Sequence, residues 1–189
     1  MTIHSTFGKL AFSLALAGTF LFPGLDARAT GTTTDTLNFV NYRDVRDLNP
    51  HLYAGEMYAQ EMIFETLVDI TADGYKPCLA ESWDISADGK VYTFHIRKGV
   101  TFTDGTPCDA FAIKANFDAI LENRARHTWL EMMHLLEKVD APDAQTFRIF
   151  MKAPYWPMLT ELGVTRPFAI VSPKAMKNGS TKNGVTAYV

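Results

Sequence analysis

Cysteine is scarce in this sequence. Two occur in 189 residues, Cys78 and Cys108, 30 positions apart. They form no CxxC pair and have no Cys/His spacing, so the ligand pattern of a structural metal knuckle is missing. An excess of positive charge is missing too. Eighteen basic residues stand against 21 acidic ones, for a formal net charge of −3, and Lys and Arg are scattered among carboxylates. That excludes the basic face or stripe of a nucleic-acid binder. No GxSxG, HExxH or paired Cys/His arrangement occurs, and although Asp and Glu are plentiful, nothing singles out a catalytic pair. The chain is therefore read as a non-enzyme. Internal repeats and low-complexity segments are also lacking. Hydrophobic residues make up 47% and charged residues 21%, the balance of a globular domain with a real core.

Nor is there an apolar run long enough for a bilayer-spanning helix, which needs about 20 residues. The longest, Leu10 to Phe22, follows Lys9 and is broken by Pro23 and Gly24. Ala27-Arg28-Ala29 then places small residues at the two positions a signal peptidase reads. Residues 1–29 are expected to be a signal peptide cleaved before Thr30, and residues 30–189 to be the mature part. Losing Lys9, Arg28 and Asp26 leaves 16 basic and 20 acidic side chains and a net charge of −4. Export would bring Cys78 and Cys108 into an oxidising compartment. One disulfide and two buried free thiols are both open, because the test is geometric.

Along the mature chain, strand and helix patterns interleave. Thr36 to Val40 reads as a short strand. Met57 to Leu67 has apolar residues at 58, 62, 63 and 67, a helical spacing. Asp73-Gly74 is a turn between Leu67–Ile70 and Tyr75–Cys78. Ser82–Ile85 and Val91–Ile96 flank Asp88-Gly89-Lys90 as a β-hairpin. Asp109 to Leu121 carries a stripe of Ile113, Phe117, Ile120 and Leu121 and predicts a helix with an acidic residue at its start. Trp129 to Leu136 predicts a second helix, Gln145 to Met151 a strand, Met158 to Leu162 a short helix and Arg166 to Val171 a strand. Ser172-Pro173 opens a last helical turn. Hairpins mixed with helices give a mixed α/β class.

Leu79-Ala80-Glu81-Ser82-Trp83, Ser86-Ala87-Asp88-Gly89-Lys90, Tyr92-Thr93-Phe94, Arg97-Lys98-Gly99-Val100-Thr101-Phe102-Thr103-Asp104-Gly105 and Asp109-Ala110 follow one another in fixed order and spacing. Together they closely resemble the signature of the peptide/nickel family of extracellular solute-binding proteins. Leu48-Asn49-Pro50-His51-Leu52-Tyr53, the stretch Glu122 to Glu131, and Arg166-Pro167-Phe168 resemble its nickel-binding branch. The likeness runs from about Thr36 to Val185. It implies a periplasmic component of an ABC importer, working as a monomer with an inner-membrane permease. The implied fold is the N-terminal portion of a two-lobed periplasmic-binding-protein fold. Its second lobe is absent, because the text after Asn183-Gly184 leaves the family pattern, and a truncated product is expected.

Most of the signature is structural: Trp83 and Phe94 suit a hairpin core, and Gly89, Gly99 and Gly105 suit tight turns. The nickel-type positions imply a ligand site. In that branch nickel arrives as a complex with a small carboxylate-bearing chelator, and arginines engage the carboxylates. By resemblance, Arg126 and Arg166 are those arginines, Trp129 packs over the ligand, and Tyr53 and Met57 line it. A guanidinium offers a fixed fork of donors to a carboxylate, and an apolar wall strengthens the pairing. His127 has no partner at metal spacing and is expected at the surface. The transported ligand is thus nickel as a chelate, with no direct protein metal ligand assigned. The alternatives are a peptide or small-solute binder of the same family and a non-functional remnant.

Overall fold

A computed structural model describes residues 40, 44–45, 47–52, 56–177 and 180–185, the residues 177 and 180–185 by backbone alone. The expected signal peptide, most of the strand at 36–40 and Tyr53 lie outside the described residues. The chain divides into Met1–Val40 and Asn41–Val189, and the description below concerns the second unit.

Helix α1, Met57–Glu61, is followed by the hairpin β1 (Val68–Thr71) and β2 (Gly74–Pro77). Strands β3 (Ala80–Ile85) and β4 (Val91–Ile96) come next, then α2 (Ala110–Glu122), a 3-10 turn at Arg124–Arg126 and the short α3 (Met132–Leu135). Strands β5 (Leu136–Asp143) and β6 (Thr146–Met151) lead into α4 (Met158–Leu162), α5 (Thr165–Phe168) and a 3-10 turn at Pro173–Ala175. The small hairpin β7 (Met176–Lys177) and β8 (Ser180–Val185) follows. The main sheet is antiparallel in the order β3-β4-β6-β5. Gly89, at φ 65°, turns the β3–β4 connection in a conformation that costs a side-chain-bearing residue more.

Strand β4 buries Tyr92, Phe94 and Ile96 completely, or nearly so, and β6 does the same with Phe147, Ile149 and Met151. Their alternation faces one side of the sheet, where α2 lies against β5 and β6. Helix α2 starts where Asp109 Oδ1 accepts the Phe111 and Ala112 N–H groups, both at 3.0 Å, capping two donors the helix cannot satisfy itself. Its buried stripe of Ile113, Phe117 and Ile120 joins an aromatic column through the core. Phe94 meets Phe147 at 6.3 Å between ring centroids, Phe147 meets Phe117 at 4.9 Å, and Phe117 stacks on Phe168 at 5.8 Å. The column runs from the sheet to α5, the element that carries Arg166.

Helix α2, the hairpin β3–β4, strand β6 and helix α4 stand where the sequence predicts them. Other segments differ. Helix α1 covers only Met57–Glu61, because the chain then turns to bury Phe64 and Leu67 in different directions. The helix expected over Trp129–Leu136 is confined to Met132–Leu135, since Leu136 already pairs with Met151 in β5. The strand expected at Arg166–Val171 is instead the turn α5 plus an extended segment outside any sheet. Arg166 itself has extended dihedrals, φ −102° and ψ 119°, and the Arg166–Pro167 bond is cis. A residue before proline avoids the helical region, so the extended reading holds for that one residue. The helical bond, Ala169 N–H to the Thr165 carbonyl at 2.7 Å, spans it.

Candidate functional site

The expected site residues lie on three segments that meet: residues 47–52 with α1, the turn after α2, and α5. Side-chain turns shape the first. Asp47 Oδ1 accepts the Asn49 N–H at 2.8 Å and Asn49 Oδ1 accepts the His51 N–H at 3.1 Å. Gln60 of α1 donates through Nε2 to the Asn49 carbonyl at 3.3 Å. Asn49, His51 and Gln60 are all fully buried, so this polar knot replaces water as the partner of otherwise stranded backbone groups.

His51 and His127 tie the segments together. His127 Nε2 lies 2.8 Å from the His51 carbonyl, and His51 Nε2 lies 3.1 Å from the Ala169 carbonyl. A carbonyl only accepts, so each ring carries its proton on Nε2. His127 Nδ1 is then a buried acceptor with no hydrogen-bond partner. Burial lowers the pKa of His51 to about 4, with the nearby His127 charge acting in the same direction and the Ala169 bond opposing it. Burial also lowers that of His127, against the favourable bond to His51, and the charges of Arg166 and Arg126 lower it further. His127 is therefore not the surface residue expected from its chain neighbours. It is fully buried, because its ring is used 76 positions away at His51.

Asn116 completes the frame. Its Oδ1 accepts the Val171 N–H and its Nδ2 donates to the Val171 carbonyl, each at 2.8 Å, while Nδ2 also reaches the Ala112 carbonyl at 2.8 Å. With Ile170 N–H bonded to the Glu65 carbonyl at 2.9 Å, the segment 169–171 is held on three sides without joining a sheet. Sequence reasoning missed Asn116 and His51. A visible signal was the polar Asn116 within the apolar stripe of α2.

Arg126 ends the 3-10 turn and is exposed, whereas Arg166 is only 7% exposed. The two cations lie near enough to His127 for both to disfavour its protonation. Trp129 is half exposed and follows the same turn. Met57 is partly buried on α1, which packs against α5. Tyr53 lies outside the described residues. Among the described residues, no group of three or more His, Cys, Asp or Glu could hold a metal ion. Three cavities lie elsewhere, near Leu79 and Val100 and beside Pro107, and none of them is lined by Met57, Arg126, Trp129 or Arg166. A guanidinium presents a planar fork of donors, which suits a carboxylate and not a bare cation.

Sequence and structure comparisons converge on one class, a solute-binding protein. The chain belongs to the bacterial extracellular solute-binding proteins, family 5, whose middle region matches residues 74–187. It is 45% identical over 146 residues to the nickel-binding periplasmic protein of Escherichia coli strain K12, covering 76% of this chain and 28% of that protein. It is 34% identical over 102 residues to the glutathione-binding protein GsiB of Shigella flexneri, covering 54% of this chain and 20% of the relative. The crystal structure of NikA from Brucella suis in complex with Fe(III)-EDTA superposes with a TM-score of 0.74 at 46% identity, covering 76% of this chain and 29% of that one. The chain thus spans less than a third of the length of these relatives. The mixed α/β fold is that of the matched portion of NikA. Among the described residues no helix is long and apolar enough to cross a membrane.

Proposed function

We propose that this chain is the first-lobe portion, residues 30–189, of a periplasmic solute-binding protein, exported by the signal peptide 1–29. It would bind nickel as a chelate and present it, as a monomer, to an inner-membrane ABC permease. The observation that carries this reading is the 45% identity, over 146 residues, to a nickel-binding periplasmic protein. Arg166 stands on a turn fixed by His51, Asn116 and the aromatic column, and a guanidinium offers a carboxylate a fixed fork of donors. On this reading Arg126 and Trp129 supply a second fork and an apolar wall, and family resemblance alone assigns Met57 and Tyr53 to the lining. In this arrangement the arginines take the carboxylates of a small metal chelator, and the metal has no direct ligand from this portion. The 45% identity to a nickel-binding periplasmic protein supports the same ligand class. No catalytic step is needed for such a role.

This chain covers 28% of the length of its nickel-binding relative. The test therefore uses a chimera that joins this chain to the remaining length of a nickel-binding relative. Calorimetry with a nickel chelate should give tight binding, and Arg126→Ala and Arg166→Ala should each weaken it by ~1.5–3 kcal/mol, roughly 10–150-fold. Unchanged affinity in both variants removes the arginines from the site. The likeness to a glutathione-binding protein favours a second reading, a small peptide whose carboxylates occupy the same forks. Binding of glutathione but not of the nickel chelate would select it.

A further inference from the structure

Cys78 and Cys108 are both free thiols in this structure, one half-buried and one buried, and backbone pairing brings their segments to one place. The Leu79 carbonyl accepts the Arg97 N–H at 3.0 Å. The Cys78 carbonyl accepts two donors from the Arg97 guanidinium, at 3.2 and 3.0 Å. Three residues further, the Val100 carbonyl accepts the Cys108 N–H at 2.9 Å. Both cysteines therefore adjoin the short Arg97–Val100 connection. Two cavities open there. One of ≈ 180 Å³ is bordered by Cys108 and the other, of ≈ 400 Å³, by Cys78. Glu65, Leu79 and Val100 border both.

We propose that Cys78 and Cys108 are joined by an intramolecular disulfide in the exported protein, a cross-link between the entry to β3 and the loop before α2. The oxidising setting and the oxidant rest on the export reading, and the pairing rests on the placement of the two segments. In an oxidising compartment the oxidant is a disulfide, either of a carrier protein or of a small thiol. The Cys78 thiolate attacks it, releasing one oxidant thiol and leaving a mixed disulfide, and Cys108 then attacks the Cys78 sulfur and releases the second. The two cysteines lose two protons and two electrons, and the oxidant takes up both as two thiols.

Timing follows from burial. In the closed fold, burial pushes the Cys108 thiol up to about 12, with the Glu65 carboxylate, Asp109 and the Cys78 charge adding to it. Burial and Glu65 raise Cys78 as well. Thiolate is the reactive form, so the bond forms while the segment is still open, and closure then shields it from reductants.

The full chain is refolded from denaturant with oxidised and reduced glutathione, and is also recovered from the periplasm of an expressing bacterium. Expected is an intact mass about 2 Da below that of the reduced chain, from loss of two hydrogens, with one linked peptide pair containing residues 78 and 108. Reduction should lower the melting temperature by ~7–15 °C, the value for closing a loop of this length in a domain of this size. Cys78→Ser and Cys108→Ser should each melt with the reduced parent and ignore reductant. Two titratable thiols in the refolded, unaltered chain overturn the proposal, whether or not the variants fold. Free thiols in the protein recovered from the periplasm overturn it equally, even where refolding with glutathione links the pair.

Discussion

At His51 and His127 the polypeptide buries two imidazoles, and burial favours the neutral ring over the opposing pull of the carbonyl each one bonds. The unfolded chain binds a proton at each ring near pH 6.5, whereas the folded chain admits one at His51 only at about 4. Stability from this source is therefore complete above pH 6.5 and drains as the pH falls from 6.5 toward 4. For His51 alone the loss is about 3 kcal/mol, and His127 acts in the same direction. Denaturant midpoints measured at pH 7, 5.5 and 4.5 should fall steadily. Asp104 lies outside this window, because bonds from Ser172 and Thr106 hold its carboxyl down to about 2, so its loss begins only below its ordinary value near 3.8. A midpoint constant from pH 7 to 4.5 would mean the rings are solvated. The sequence does not disclose this burial, since His127 sits between exposed Arg126 and Thr128. The same holds for the two arginines: the site proposed for them rests on family resemblance, and the difference in their exposure is visible only in the fold.

Elements that close on near neighbours were the legible ones. Helix α2 carries its own cap and stripe, and the β3–β4 hairpin carries its own turn, so local pattern suffices for both. Strand β5 was missed because only Leu136 and Val139 of its eight residues are buried. Pro142 and four charges blur its alternation, as suits a sheet edge. The turn at α5 was misread because its shape depends on Glu65 and Asn116, which no local window contains. Gly163, at the end of α4, shows another such constraint. A Cβ there would collide with Ile70 Cγ1 and Cδ1 on β1, so the hairpin β1–β2 approaches α4 only because that position has no side chain. Gly163→Ala should cost ~1–3 kcal/mol in thermal or urea unfolding. Ile70→Ala in the same chain should recover part of it, a non-additivity that a purely helical effect of Ala would not show. If Gly163→Ala is instead stabilising, the hairpin is free to withdraw.

For the whole molecule, the main sheet ends in β3 on one side and β5 on the other, with 45% identity extending over barely a quarter of its curated relative. The proposed export involves the entire chain. Mass spectrometry of product from a bacterial periplasm should find an N-terminus at Thr30, and retention of Met1 on a membrane-bound form would refute the signal reading. The contrast between Arg166 and its neighbours Arg126 and Trp129 has a consequence for mutation. The last two stand at the surface, where exchange disturbs packing little. Arg166 stands on a turn tied to α2, to residues 47–52 and to the Phe117–Phe168 stack, so a change that unsettles this one turn is felt in three parts of the fold at once.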